Sequence, residues 1–361
     1  MTKLDQLASN GQSIWYDFIR RDMLTDGGLS ELVTSGVRGV TSNPSIFEQA
    51  IAGSDLYDSQ ISDLGTVAPE QAFEALAIQD IKAAADILTG VYQDSGGVDG
   101  YVCLEVSPRL ANDTAGTIAD AMRLWSLVDR PNLMVKVPAT PAGIPAIEEL
   151  TAAGININAT LMFSLDDYEA VAQAYLAGAR RAGDPSTLAS VASFFISRVD
   201  TYADAALERV GTVKALDLRG SVAIANAKVA YARYQELFES DGFSDLAALG
   251  TRPQRPLWAS TSTKNPAYRD VIYVEELIGP NTVNTAPPKT IDDFEDHGVI
   301  KAGSLLEDVP EARAIIRSLP ETGVDFTSVT SQLQLDGVAA FADAYESLLE
   351  VIEQKQTGLL A

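Results

Sequence analysis

The chain has 361 residues, 46% of them hydrophobic and 21% charged, and its 26 basic and 50 acidic side chains leave a net charge of −24. That charge argues against binding to nucleic acid or to an anionic membrane surface, and an anionic small substrate would need a local basic pocket. One cysteine and one histidine exclude an internal disulfide, leave little for a zinc site or a Ser-His-Asp triad, and fit a reducing compartment.

Eight short apolar runs predict strands, at residues 13–19, 39–42, 101–106, 133–137, 155–162, 189–196, 256–261 and 282–285. Segments of helical period lie between them. Phe73, Ala77, Ile81, Ala84 and Leu88 share one face. Ser164 and Asp167 form a capping-box pattern at the head of a helix that closes with Arg180, Arg181 and Gly183. Val338, Phe341, Ala342, Tyr345, Leu349 and Ile352 mark a final amphipathic helix. His297, in Asp-Asp-Phe-Glu-Asp-His-Gly, reads as surface or a helix start.

Strands alternating with helices imply βαβ units and a parallel sheet, and eight of them predict an α/β fold of the (β/α)8 TIM-barrel class. A minimal barrel takes roughly 250 residues, so about 110 are surplus. The expectation is one barrel domain over 1–361, with insertions near 47–100 and 199–255 and a helical C-terminal tail; two domains are the alternative. No segment approaches the about 18 apolar residues of a membrane helix, and no targeting signal, P-loop or Gly-x-Gly-x-x-Gly pattern is visible. A soluble, cytoplasmic protein, monomeric or homodimeric, is expected.

In a parallel barrel, chemistry gathers at the C-terminal ends of the strands. Lys136 stands in the apolar run Leu-Met-Val-Lys-Val-Pro. Lysine is almost never fully buried without a reason. An amine in an apolar pocket is driven toward its neutral form, a nucleophile that condenses with a carbonyl to give a Schiff base. An ion-paired lysine at the barrel rim is the plain alternative. Asp17 and Glu105 each lie in an apolar strand and could do acid–base work, or form salt bridges, one of them with Lys136. Cys103, two residues before Glu105, reads as small buried core. Thr41-Ser42-Asn43-Pro44-Ser45 could hold sugar hydroxyls or form a capped turn. Asn156, Asn158 and Thr160 alternate along the fifth run and would share one face, which is costly inside a barrel unless they are satisfied. Ser193 and Arg198 after the sixth run, and Ser260 and Lys264 after the seventh, fall where late-strand loops build phosphate sites, or are ordinary surface residues.

These segments resemble those of the transaldolases. Gly39-Val-Thr-Ser-Asn-Pro-Ser-Ile-Phe47 looks like the first family signature. Leu133-Met-Val-Lys-Val-Pro-Ala-Thr-Pro-Ala-Gly143 looks like the second, which contains the Schiff-base lysine. Asn158-Ala-Thr-Leu-Met-Phe-Ser164 is similar to the fifth-strand segment. The resemblance runs in order from roughly residue 13 to 290. It implies a (β/α)8 barrel that moves a dihydroxyacetone unit between phosphorylated sugars in the pentose phosphate pathway, with no metal and no organic cofactor. It implies Lys136 as nucleophile, Asp17 as the acid–base at the C4 hydroxyl, and Glu105 with Thr160 holding a catalytic water. Asn43 and Asn158 would bind the dihydroxyacetone hydroxyls, with Thr41, Ser193 and Phe195 beside them. Arg198 would bind phosphate. The seventh segment departs from the family: Trp-Ala-Ser-Thr-Ser-Thr-Lys264 carries a lysine where an arginine is usual, so Lys264 or Ser262 could be the second phosphate ligand.

Three other readings compete. A fructose 6-phosphate aldolase would release free dihydroxyacetone; that group uses tyrosine and glutamine where Phe195 and Glu105 stand here, which favours the transferase. A barrel glycosidase using Asp17 and Glu105 leaves the buried lysine without a role. A barrel that binds without catalysis would not be expected to keep Asp17, Glu105, Lys136 and Thr160 together.

Overall fold

The computed structural model describes residues 2–360. Eight parallel strands close into a barrel in sequence order: β1 (Gln12–Tyr16), β2 (Gly39–Val40), β3 (Tyr101–Glu105), β4 (Leu133–Pro138), β5 (Ile157–Met162), β6 (Ser190–Phe195), β7 (Arg255–Ala259) and β8 (Thr282–Ala286). The expected TIM-barrel class is the observed one. Strands buried on both faces need continuous apolar runs, and β4 and β6 are buried along their whole length.

Several predicted boundaries shift. β1 begins one residue earlier and ends at Tyr16, so Asp17 lies just past the strand rather than inside it. β2 keeps only two residues, because the chain turns at Thr41 into the helix Pro44–Ala52. Gly39 is required there: a Cβ would come 2.6 Å from the Trp15 ring. Asn156 precedes β5 and, unlike Asn158 and Thr160, does not line the cavity at the C-terminal ends of the strands. Its side chain bonds Pro131 O, Leu133 O and Ala189 N, tying strand starts together. His297 closes the helix Pro288–His297 instead of opening one, and lies between Asp270 and Asp296.

Register places the chemistry. Glu105 pairs with Lys136, Lys136 with Asn158, and Pro138 with Thr160, so these side chains fall at neighbouring heights inside the barrel. β5 is irregular between Ala159 and Met162, and Leu161 takes φ 60°, a left-handed value rare outside glycine. Such a bulge re-aims side chains at a strand end.

Helices ring the barrel. Ser164 and Asp167 form the expected reciprocal cap on Leu165–Arg181. Between β2 and β3 lie the helices Pro44–Ala52, Asp58–Leu64 and Pro69–Asp94. The final amphipathic segment is one long helix, Phe326–Leu360, with Leu348 and Ile352 fully buried.

The opposite, N-terminal end of the barrel is filled by a polar plug. Arg255 donates to Asp99 Oδ1 (3.0 Å), Val98 O (3.0 Å), Ser13 Oγ (2.7 Å) and Thr282 O (2.8 Å). Asp99 also accepts from Ser13 Oγ and Trp15 Nε1. A buried guanidinium is tolerated there because nearly every donor is matched. Among the described residues, no helix is long and apolar enough to cross a membrane.

Candidate active site

A cavity of about 530 Å³ opens at the C-terminal ends of the strands. The residues given catalytic or binding roles from the sequence gather here: Asp17, Thr41, Asn43, Lys136, Asn158, Thr160, Ser193, Phe195, Arg198, Ser260, Ser262 and Lys264 line it. Glu105 lies behind Lys136 and faces a smaller, mostly apolar space between the barrel and the helices Pro69–Asp94 and Thr114–Val128.

Lys136 is 6% exposed. Its Nζ donates to Ser42 O at 2.9 Å and stands 3.1 Å from Glu105 Oε2. The ion-pair reading of this lysine is therefore observed, with Glu105 as the partner. Glu105 Oε1 and Thr160 Oγ1 are buried and have no hydrogen-bond partner among the described residues. Burial pushes the Glu105 carboxyl above its ordinary range, and the Lys136 charge opposes that rise.

Asp17 sits across the cavity from this pair. Its Oδ1 accepts from Thr41 Oγ1 at 2.6 Å, and Thr41 Oγ1 also meets Thr285 Oγ1 at 2.6 Å. Burial pushes the Asp17 carboxyl up; the Thr41 hydrogen bond and then the charges of Lys136, Lys264 and Arg198 pull it back. Asn158 is held in place from both sides: its Oδ1 accepts from Ser193 Oγ at 2.6 Å, and its Nδ2 donates to Cys103 Sγ at 3.3 Å. Burial raises the Cys103 thiol to about 12, so this cysteine is a packing residue, as its place in the sequence suggested. Asn43 combines two of its sequence readings. Its Oδ1 caps the helix Pro44–Ala52 through Ile46 N at 3.0 Å, and the residue also borders the cavity.

The cations stand at the rim. Arg198, in the first turn of the helix Ser197–Val210, lies over the Phe195 ring at 5.4 Å. Lys264 donates to Ser262 Oγ at 2.6 Å, and both residues line the cavity. Burial and the Arg198 charge both lower the Lys264 pKa. Two cations held near each other give this side of the cavity a local positive charge. Ser260 takes φ 55° and bonds Ser197 Oγ at 2.9 Å, joining the loops that carry them.

Other lining residues escaped the sequence reading: Phe18, Gln49, Lys289, Thr285 and Phe341. Helical period marks Phe341 only as one apolar position of the last helix. Its ring centroid lies 5.7 Å from Lys136 Nζ, and helical period alone cannot separate a core position from one over a site.

The profile of the transaldolase/fructose-6-phosphate aldolase family matches residues 14–352. Among curated relatives, a transaldolase of Frankia alni is 49% identical over 359 residues, covering 98% of this chain and 97% of the relative. Transaldolase 1 of Streptomyces coelicolor is 48% identical over 356 residues, covering 97% of this chain and 93% of its own. A transaldolase of Thermobifida fusca is 48% identical, with 98% of each chain covered.

Proposed function

Since the chain belongs to the transaldolase/fructose-6-phosphate aldolase family and is an enzyme of the transaldolase class, we propose that it carries a dihydroxyacetone unit from a ketose phosphate to an aldose phosphate as a Schiff base on Lys136. The donor would be sedoheptulose 7-phosphate or fructose 6-phosphate, the acceptor glyceraldehyde 3-phosphate or erythrose 4-phosphate, and the general setting the pentose phosphate pathway. We read residues 1–361 as a single barrel unit, with its additional helices near 47–100, 199–255 and the C-terminus.

The observation that carries this reading is a buried amine 3.1 Å from a buried carboxylate, on the wall of a cavity that Arg198 and Lys264 also line. The Lys136 amine adds to the ketose C2. Glu105, taking up and returning a proton through a water that it shares with Thr160, lets the carbinolamine oxygen leave as water and the iminium form. Asp17 then takes the C4 hydroxyl proton. The C3–C4 bond breaks, its electron pair moves into the iminium, and an enamine remains as the aldose departs. The acceptor aldehyde adds by the reverse steps. Asn43, Asn158, Thr41 and Ser193 hold the hydroxyls of the three-carbon unit beside Phe195. Arg198 and Lys264, with Ser260 and Ser262, hold the phosphate. This remote handle orients the reacting carbons.

The test is borohydride trapping with fructose 6-phosphate, followed by peptide mapping. The expected result is a dihydroxyacetone adduct on Lys136 alone, together with sedoheptulose 7-phosphate when erythrose 4-phosphate is supplied. No adduct at Lys136 refutes the mechanism. Free dihydroxyacetone forming as fast as the transfer product refutes the transferase assignment.

A further inference from the structure

Resting on the Schiff-base reading of Lys136, we propose that Phe341 is a specificity-determining residue: the C-terminal helix sets its ring over Lys136 to keep water from the enamine, and so favours transfer over release of free dihydroxyacetone.

The helix Phe326–Leu360 is fastened to the strands that bear the chemistry. Gln334 Nε2 donates to Ala139 O at 2.9 Å and to Leu161 O at 3.3 Å. Those carbonyls lie just past the end of β4 and in the irregular end of β5. Gly337 stands one turn on, where a Cβ would come 3.0 Å from Leu161 Cδ2; its bare backbone permits that close approach. Phe341 follows on the same face, since positions seven apart on a helix align. Further clamps hold the helix from other sides: Tyr202 Oη donates to Asp336 Oδ2 at 2.7 Å, and Lys355 Nζ to Asp58 Oδ1 at 2.6 Å.

Phe341 is 5% exposed, yet it lines the cavity and lies 5.7 Å from the lysine nitrogen. A phenyl ring suits the place chemically. It tolerates a cationic iminium near its face, and it has no acidic proton to give to carbon. The enamine between the two half-reactions has two fates. In one, C3 bonds the acceptor's carbonyl carbon, whose oxygen takes up a proton. In the other, C3 takes a proton from water, hydroxide adds to C2 of the resulting iminium, the C2–N bond breaks, and dihydroxyacetone leaves with the Lys136 amine restored. Each route takes up one water when the Schiff base is hydrolysed, but only the second needs a proton delivered to C3, and a ring that keeps water from C3 suppresses that step.

The test gives the whole enzyme fructose 6-phosphate with erythrose 4-phosphate and measures the ratio of free dihydroxyacetone to sedoheptulose 7-phosphate. In Phe341→Ala the ratio is expected to rise by about tenfold, with Phe341→Leu between it and the unaltered protein. A ratio within about twofold of the unaltered protein in folded Phe341→Ala overturns the proposal, and should that variant not fold, Phe341→Leu is judged by the same threshold. A general loss of packing slows both fates together and leaves the ratio in place. Borohydride trapping on the unaltered protein separates the two levels. No adduct at Lys136 overturns both the Schiff-base reading and this one; an adduct with an unmoved ratio overturns only the role of Phe341.

Discussion

Replacing Lys136 with methionine keeps the length of the stem and removes the amine. Transfer activity and borohydride trapping should both vanish, but the more searching consequence is for stability. Lys136 and Glu105 have side chains 7% and 4% exposed, 3.1 Å apart. Removing one member of a buried pair typically costs about 3–5 kcal/mol, because a charge is stranded. Glu105 has a way to reduce that cost. Burial already pushes its pKa up, and the Lys136 charge is the first influence opposing the rise. Without the lysine the carboxyl takes up a proton in the folded state. Its folded pKa then exceeds its unfolded one, so the variant is least penalised at low pH. It loses stability as pH climbs above about 4.3, by about 1.4 kcal/mol per pH unit, until the buried carboxyl itself ionises. Urea unfolding at about pH 5.5 and about pH 8 should therefore show a deficit that grows between them, by at most about 1.4 kcal/mol per pH unit. Adding Glu105→Gln should recover most of that deficit at the higher pH and none of the activity. Equal deficits at both pH values, or a double variant no more stable than the single one, would refute the coupling of this pair.

Two further outcomes concern other buried carboxyls. Thr41→Val removes the strongest influence that opposes the burial-driven rise of the Asp17 carboxyl; its pKa climbs further, so the acid limb of kcat/KM for ketose cleavage should move to higher pH. Lys264→Ala should move it the same way by less, and a shift toward lower pH would remove Asp17 as the base. Asp200, held by Ala223 N and Tyr273 Oη, is raised by burial from 3.8 to about 6, so the native state prefers it protonated. Stability should fall by about 3 kcal/mol as pH rises across that window, at about 1.4 kcal/mol per tenfold change in proton affinity. Asp200→Asn should flatten the decline in a pH series of urea unfolding, and an unchanged slope would discount the carboxyl.

The barrel was legible because a parallel strand buried on both faces must be written as an apolar run, and eight such runs stand at helix-sized intervals. Lys136 stood out by breaking one of them. Boundaries failed where a run continued past the last ladder bond: Phe18 and Ile19 are apolar yet follow β1, since Asp17 already sits in the mouth. Asn156 misled because period two assumes that the strand has begun, and β5 starts one residue later. Phe341 was readable only as an apolar helix position; its place over Lys136 depends on how a helix about 200 residues further along the chain crosses the barrel, which no local pattern encodes. Arg255 looked like the end of an insertion, and its four oxygen partners come from three distant segments.

The Arg255–Asp99 plug also bears on kinetic order. With the far end of the barrel filled, the route proposed for phosphorylated sugars is the cavity mouth that Arg198 and Lys264 line. On the proposed Schiff-base mechanism, the first aldose must vacate that mouth before the second can reach the enamine, which predicts that donor and acceptor are not held together. Initial-rate plots should give parallel lines when either substrate is varied. An aldose in excess should inhibit by occupying the unloaded enzyme, and more donor should relieve that inhibition.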